Sequence, residues 1–310
     1  MKKTGYIIYQ PSELQKNSIF VEMFQRAGEQ QGLEFISCTI DNYRSLPQPD
    51  FVLNRTRDYR VSAYYERHHI PVFHRTELVR MGNDKAETLR ILQENRTGKR
   101  NLRIPDSLVL LPEDSRDESV FWDKINVWRK ENSLTGRDIV VKTVDGHGGQ
   151  EVFLIKDFME KEEVQAISVE KNSLSQIKKE IKCPAVLAGK KILCQPMIDC
   201  DSRDIRVYIL GGEVYHSVLR QGKGDFRSNY SMGGTVSEYF LSPEQYREVQ
   251  DYIDCMGGEA LAMAGIDFFL DRRGQLVFNE VEEMVGSRML YACSDKDIVK
   301  DYVAWLAQIL

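Results

Sequence analysis

The strand-like runs Ile205–Leu210 and Glu213–Leu219 are separated by Gly211-Gly212 alone. A loop this short reverses the chain only as a tight hairpin, and paired glycines supply the left-handed backbone that such turns need. A second pair of runs, Ile266–Leu270 and Gln275–Glu282, flanks the turn-like Asp271-Arg272-Arg273-Gly274. The C-terminal third is therefore antiparallel sheet in outline. Its strands carry charge in a definite series: Asp204 and Arg206, then Arg220, then Asp267, then Glu280 and Glu282.

The first 83 residues read differently. Tyr6–Tyr9, Leu33–Ile40 and Phe51–Leu53 have strand character, and Ser18–Gln31 places Ile19, Phe20, Met23, Phe24 and Ala27 at helical spacing. This alternation argues for a parallel sheet. No G-x-G-x-x-G follows the first strand, which argues against a dinucleotide site. Further along, Asp84 stands three residues before Glu87 at the head of a helix to Asn95. Leu108–Leu111, Ile139–Thr143, Glu151–Lys156 and Ile192–Gln195 read as strands, and Val120–Arg129 and the charged Asp157–Lys182 as helices. Ser242–Ala264 reads as one long helix with Pro243 in its first turn, and Asp295–Leu310 as a closing helix.

Composition narrows the function. A formal charge of −5 leaves no broad basic excess, so neither nucleic acid nor an anionic membrane is an expected partner, and the arginines belong to local sites. The six cysteines are scattered without a C-x-x-C pair, as free thiols in a reducing compartment would be. Gly5–Tyr9 is too short for a signal-peptide core, and no apolar run approaches the ~20 residues of a spanning helix. A cytoplasmic protein is expected, and a homodimer or higher homo-oligomer is the default for an enzyme of this size.

If 271–274 is a four-residue hairpin loop, Leu270 pairs with Gln275 and Asp267 faces Phe278. Strand alternation then brings Asp267, Glu280 and Glu282 out on one face beside Phe269, Leu276 and Phe278. Three carboxylates on an apolar face repel one another unless a cation neutralises them, which points to magnesium; a solvated hairpin end is the alternative. Arg206 and Arg220 lie on adjacent strands, and their planar forks suit phosphate oxygens, or simple surface ion pairs. The loop Asp145-Gly146-His147-Gly148-Gly149-Gln150, after Val140-Val141-Lys142, is either a phosphate cradle or a glycine-rich turn. It lacks the Gly-Lys-Ser/Thr ending of a P-loop. Arg55 and Arg57 follow the strand Phe51–Leu53, at the end of an α/β sheet where ligands bind, and either grip an acidic substrate or are ordinary loop arginines.

This series, in this order, resembles the ATP-grasp carboxylate–amine ligases, in particular the RimK-type glutamate ligases and their glutathione-synthetase-like relatives. The segment Asp225-Phe226-Arg227-Ser228-Asn229 with Gly233-Gly234 is the most specific local match. The resemblance implies an α/β (α+β) ATP-grasp fold: a pre-ATP-grasp domain over 1–83, a central subdomain with a glycine-rich lid over 84–190, and a C-terminal subdomain with the metal site over 191–310. It implies that Lys85, Lys142 and the lid residues Gly146, His147, Gly148 and Gly149 contact ATP. Gln195, Met197 and Ile198 would stand at the adenine hinge, Asn229 with the nucleotide, and Arg227 and Ser228 with substrate. Asp204 would meet ribose or cap its strand. Two magnesium ions, with manganese as a substitute, would be held by Asp267, Glu280 and Glu282, while Arg206 and Arg220 stabilise transferring charge. The implied reaction joins a small-molecule or peptide carboxylate to an amine through an acyl phosphate and releases ADP. The alternative is a nucleotide-binding relative with a regulatory or structural role and no ligase activity. Glu282 stands where the family usually has asparagine, and Met284-Val285-Gly286-Ser287-Arg288 replaces the usual Pro-Gly turn.

Overall fold

The computed structural model describes residues 2–96, 102–147, 151–156, 185–222 and 234–310. Three sheets organise it. The first contains β1 (Lys3–Tyr9), β2 (Leu33–Thr39), β3 (Phe51–Arg55) and β4 (Val72–Phe73), all parallel in the order β2-β1-β3-β4. The second contains β5 (Leu108–Leu110), β6 (Ile139–Thr143), β7 (Val152–Ile155) and β8 (Ile192–Pro196), antiparallel in the order β5-β8-β6-β7. The third contains β9 (Arg203–Leu210), β10 (Glu213–Gln221), β11 (Thr235–Glu238), β12 (Met263–Leu270) and β13 (Leu276–Glu282), in the order β11-β10-β9-β12-β13. The parallel first sheet and both C-terminal hairpins match the sequence expectation.

The helices are α1 (Pro11–Leu14), α2 (Ser18–Gln31), α3 (Tyr59–Arg67), α4 (Thr76–Gly82), α5 (Lys85–Glu94), α6 (Pro112–Arg116), α7 (Glu118–Glu131), α8 (Pro243–Cys255), α9 (Arg288–Cys293) and α10 (Ile298–Ile309). Their ends follow from local chemistry. The Asp84 carboxylate accepts from the backbone N–H groups of Ala86 and Glu87 and starts α5. Ser242 and Gln245 form a reciprocal capping box at the head of α8.

One face of the third sheet presents Ile205, Val207, Ile209, Ile266 and Phe268 to Leu89 and Leu92 of α5 and Val249, Tyr252 and Ile253 of α8. On the other face, Tyr208, Val218 and Met263 share a core with Phe24 of α2 and Val299, Tyr302 and Leu306 of α10. The first and third sheets are thus joined through packed helices. The second sheet has its own core, with Phe121, Ile125 and Trp128 of α7 against Ile139, Val141 and Ile192. That sheet includes β8, and α5 packs in the core of the third sheet.

Three expectations change. The helix expected over Ser242–Ala264 stops at Cys255, because Gly257 and Gly258 take left-handed φ of 113° and 55°; β12 then starts at Met263, three residues earlier than expected. In the β12–β13 hairpin, Leu270 pairs with Leu276, Phe268 with Phe278 and Asp267 with Glu280. A bulge at Asn279 absorbs the odd residue. Leu276 and Phe278 consequently join Phe268 in the apolar core, not the carboxylate face. Several short elements, α3, α4 and β11 among them, had no sequence expectation. The helix expected over Asp157–Lys182 lies outside the described residues. Among the described residues, no helix is long and apolar enough to cross a membrane.

Candidate active site

The charged residues expected from the sequence converge on one face of the third sheet. Register places Arg206, Asp267 and Glu280 side by side across β9, β12 and β13, with Arg220 opposite Asp204 on the neighbouring row. Arg206 donates through Nε and Nη2 to the two Asp267 oxygens at 2.7 and 2.6 Å. Arg220 donates to both Asp204 oxygens at 2.5 and 2.6 Å and to Asp267 at 2.7 Å. All four side chains are buried. Burial opposes the Asp267 charge, but Arg206 and Arg220 outweigh it and hold the carboxyl below its usual range. Burial likewise opposes the Arg206 charge, and Asp267 and Glu282 overcome it.

A looser cluster lies beside this network. Lys85 Nζ stands 3.3 Å from Glu280 and donates to the Gly146 carbonyl at 2.6 Å. The Lys85 backbone N–H donates to the Val144 carbonyl, which fixes the head of α5 against the loop after β6. Lys142 Nζ reaches the Asn279 side-chain oxygen at 3.3 Å, so the bulge serves the site. Burial, with Lys85 adding to it, lowers the Lys142 ammonium to about 8 although Glu280 opposes the shift. His147 falls to about 4 through burial and the nearby charges of Arg57 and Lys85, so it is neutral at pH 7. Glu282 lies 3.6 Å from Arg206. Burial raises its pKa, Glu280 and Asp267 add to the rise, and Arg206 opposes it.

Among the described residues, no group of three or more histidine, cysteine, aspartate or glutamate side chains is disposed to hold a metal ion. Asp267 shares the carboxylate face as expected, yet its oxygens are taken by two guanidiniums. Glu280 and Glu282 remain, each with its side chain 28% exposed. Their mutual repulsion suits a hard cation shared with phosphate oxygens, which needs only one or two protein carboxylates.

Other expected residues are placed differently. Arg55 is the last residue of β3, not a loop residue. It is buried over the Phe20 ring, and its Nη2 lies 3.4 and 3.3 Å from the Met284 and Val285 carbonyls. These contacts tie it to the turn after β13. Arg57, exposed at a left-handed φ of 60°, acts electrostatically on His147, Glu282 and Glu283. Both Asp204 oxygens face Arg220, whereas a ribose contact was one expectation. Gln195 is buried and donates to Ser107, and the Met197 N–H donates to the Asp138 carbonyl; Ile198 follows, half-buried, just past β8. Gly148, Gly149, Arg227, Ser228 and Asn229 lie outside the described residues.

Two residues in the site had no sequence signal. Asn279 matters only because of the bulge. Glu283 is buried, accepts from Asn83 at 2.6 Å and has its pKa raised by burial; in sequence it is merely the second of two adjacent glutamates.

The RimK-like ATP-grasp domain model matches residues 82–306. An uncharacterized protein of Mycoplasma pneumoniae (strain ATCC 29342 / M129) is 23% identical over 93% of this chain and 86% of its own length. A probable alpha-L-glutamate ligase of Marinomonas sp. (strain MWYL1) is 37% identical, but over only 34% of this chain and 35% of its own. The D-cycloserine synthetase DcsG crystal structure superposes with a TM-score of 0.67 at 14% identity, covering 98% of this chain and 99% of that one. The fold is that of the ATP-grasp ligases. The chain belongs to the RimK-like ATP-grasp family.

Proposed function

We propose that the chain is an ATP-dependent carboxylate–amine ligase that activates a substrate carboxylate as an acyl phosphate and passes the acyl group to an amine, releasing ADP and phosphate. The observation that carries this reading is the convergence of two arginines and two part-exposed carboxylates of the third sheet with Lys85 of α5 and Lys142 of the second sheet. Lys85 and Lys142, with the Gly146 backbone, would position the phosphates. Arg206 and Arg220, fixed by Asp267 and Asp204, would meet the charge that develops on the transferring phosphoryl group. Because both guanidiniums are held by buried carboxylates, they need little reorganisation during the reaction. Glu280 and Glu282 would hold magnesium, which screens phosphate charge when bound.

Charge supports two ions. Lys85, Lys142, Arg206 and Arg220 balance Asp204, Asp267, Glu280 and Glu282. A balanced site does not by itself offset the roughly four negative charges of ATP, whereas two divalent cations do. Manganese has the same charge and is expected to substitute. The amine is first sought among amino acids, and L-glutamate leads because of the glutamate-ligase relatives.

A second reading, a nucleotide-binding protein without ligase activity, draws on one feature. Arg55 and the Tyr208 hydroxyl engage the Met284, Val285 and Gly286 carbonyls, so the turn beside the site is held by the chain itself. Mass spectrometry of products from Mg–ATP with an amino-acid mixture, together with ADP release, separates the two. Substrate-dependent ADP and a new amide support ligation; nucleotide binding without turnover supports the second reading. Hydroxylamine trapping of a hydroxamate, with ATP and acid but no amine, tests the acyl phosphate, and release of AMP would replace it with adenylation.

A further inference from the structure

A cleft of about 620 Å³ opens between α3 and the segment around Arg44. Arg44, Arg60 and Arg67 line it, together with Tyr59, Glu66 and Thr76. Of the carboxylates here, Asp58 is ion-paired, whereas Glu66 lines the cleft and keeps its charge while accepting from neutral donors. Asp58 holds Arg60 at 2.7 Å, and Glu66 accepts from the Thr76 N–H at 3.1 Å and hydroxyl at 2.6 Å.

The remaining arginines are held mainly by neutral groups, although Arg44 also acts on the Asp58 carboxylate. Arg44 donates Nε to the Tyr43 hydroxyl at 2.9 Å and lies 5.3 and 5.0 Å from the centres of the Tyr43 and Tyr64 rings. Arg67 donates Nε to the Ala63 carbonyl at 3.0 Å. Arg80 lies 4.2 Å from the centre of the Tyr59 ring. Aromatic faces and a helix carbonyl orient these guanidiniums without neutralising them. Among the described residues, none of the three has a carboxylate within ion-pairing distance. In a chain of net charge −5, a pre-oriented positive cleft is a local departure that favours carboxylates over a long polyanion.

We propose that this cleft docks an acidic segment of a polypeptide, whose Asp or Glu side chains pair with Arg44 and Arg67, with Arg80 beside Tyr59 adding charge at the rim. Planar guanidinium forks match carboxylates two bonds at a time. The cleft's edge at Tyr59 is two residues from Arg57, whose charge acts on His147 and Glu282, so a segment bound there has one end near the site. Use of the cleft to bring a peptide substrate to the site rests on the ligase reading; binding itself does not.

Fluorescein-labelled hexaglutamate, titrated without nucleotide and read by anisotropy, tests the proposal. Saturable binding is expected, weakened about tenfold or more in the double variant Arg44→Gln/Arg67→Gln and by added salt. Arg80→Gln should weaken it less, and Arg247→Gln on α8 should leave it unchanged. These side chains are exposed, and a thermal melt equal to the parent's confirms that the variants fold. No binding, or equal binding by the double variant, overturns the proposal. So does equal displacement by inorganic phosphate, which would mark a simple anion site, or tighter binding of a single-stranded oligonucleotide, which would mark a nucleic-acid surface. Peptide binding with no turnover removes the ligase reading and leaves the cleft; turnover with no peptide binding does the reverse.

Discussion

The two halves of the charged site are built differently. Arg206, Arg220, Asp204 and Asp267 are buried, paired at 2.5 to 2.7 Å and held in orientation by several simultaneous bonds. The side-chain partners of Lys85, Lys142, Glu280 and Glu282 lie at 3.3 to 3.6 Å, although Lys85 also donates to the Gly146 carbonyl at 2.6 Å, and the two glutamates stay part-open to solvent. The first group is a fixed scaffold whose charges answer one another. The second holds charges that a ligand can exchange: phosphate for the lysines, metal for the glutamates. Strong buried pairs give rigidity and weak ones give response, and within the third sheet the boundary runs between β12 and β13, with Lys85 of α5 and Lys142 of β6 on the weak side.

The largest test removes the centre of the scaffold. Asp267→Ala leaves two buried guanidiniums short of a partner, and an unpaired buried charge costs about 3–5 kcal/mol. Asp204→Ala should cost less, because Arg220 keeps Asp267. Urea unfolding measures both, and equal midpoints for the two variants would break the distinction between scaffold centre and scaffold edge. Arg220→Lys keeps the charge and loses the fork. If the scaffold serves the transition state, kcat should fall roughly 10²-fold with little change in ATP affinity.

The exchangeable half predicts the opposite pattern. Glu280→Gln removes a charge at nearly constant shape, so stability should move by no more than about 0.5 kcal/mol. Magnesium-dependent nucleotide binding should weaken roughly tenfold, about 1.4 kcal/mol, by calorimetry. Unchanged affinity would take Glu280 out of the metal site.

The same contrast explains what was legible in the sequence. The hairpins were, because Gly211-Gly212 and the 271–274 turn announce them, and so was the charge series along their strands. Which carboxylate serves which partner was not. Asp267 looks like a metal ligand in a one-dimensional pattern, yet register sets it beside Arg206 and within reach of Arg220. The Asn279 bulge shifts the pairing by one residue, and nothing local marks it. Arg55 and Arg57 are near neighbours of one type, but β3 buries the first while the left-handed backbone leaves the second exposed. Only tertiary packing separates them. Arg57→Ala should therefore raise KM for the acid or amine substrate and leave KM for ATP nearly unchanged; a change in KM for ATP alone would reassign Arg57 to the nucleotide.

The smallest expected effect follows from Lys142, whose ammonium titrates near 8 in the ligand-free protein instead of the ordinary 10.5. Two consequences have opposite sign. For folding, the unfolded chain holds this proton up to a higher pH than the folded chain. Between about 8 and 10.5 the unfolded state binds more protons, so this residue's contribution to stability increases as pH rises. For nucleotide binding, an adjacent phosphate favours the charged ammonium and raises its pKa, so binding takes up a proton. Affinity should then be nearly flat below pH 7 and fall as pH rises through about 8. Lys142→Arg stays charged throughout and should flatten that decline, whatever its effect on absolute affinity. Calorimetry of a non-hydrolysable nucleotide from pH 6.5 to 9.5, in buffers of different ionisation enthalpy, reads both affinity and proton uptake. A decline equally steep in Lys142→Arg, or no proton uptake near pH 8 in the parent, would place the phosphates away from Lys142 and end its assignment to the exchangeable half.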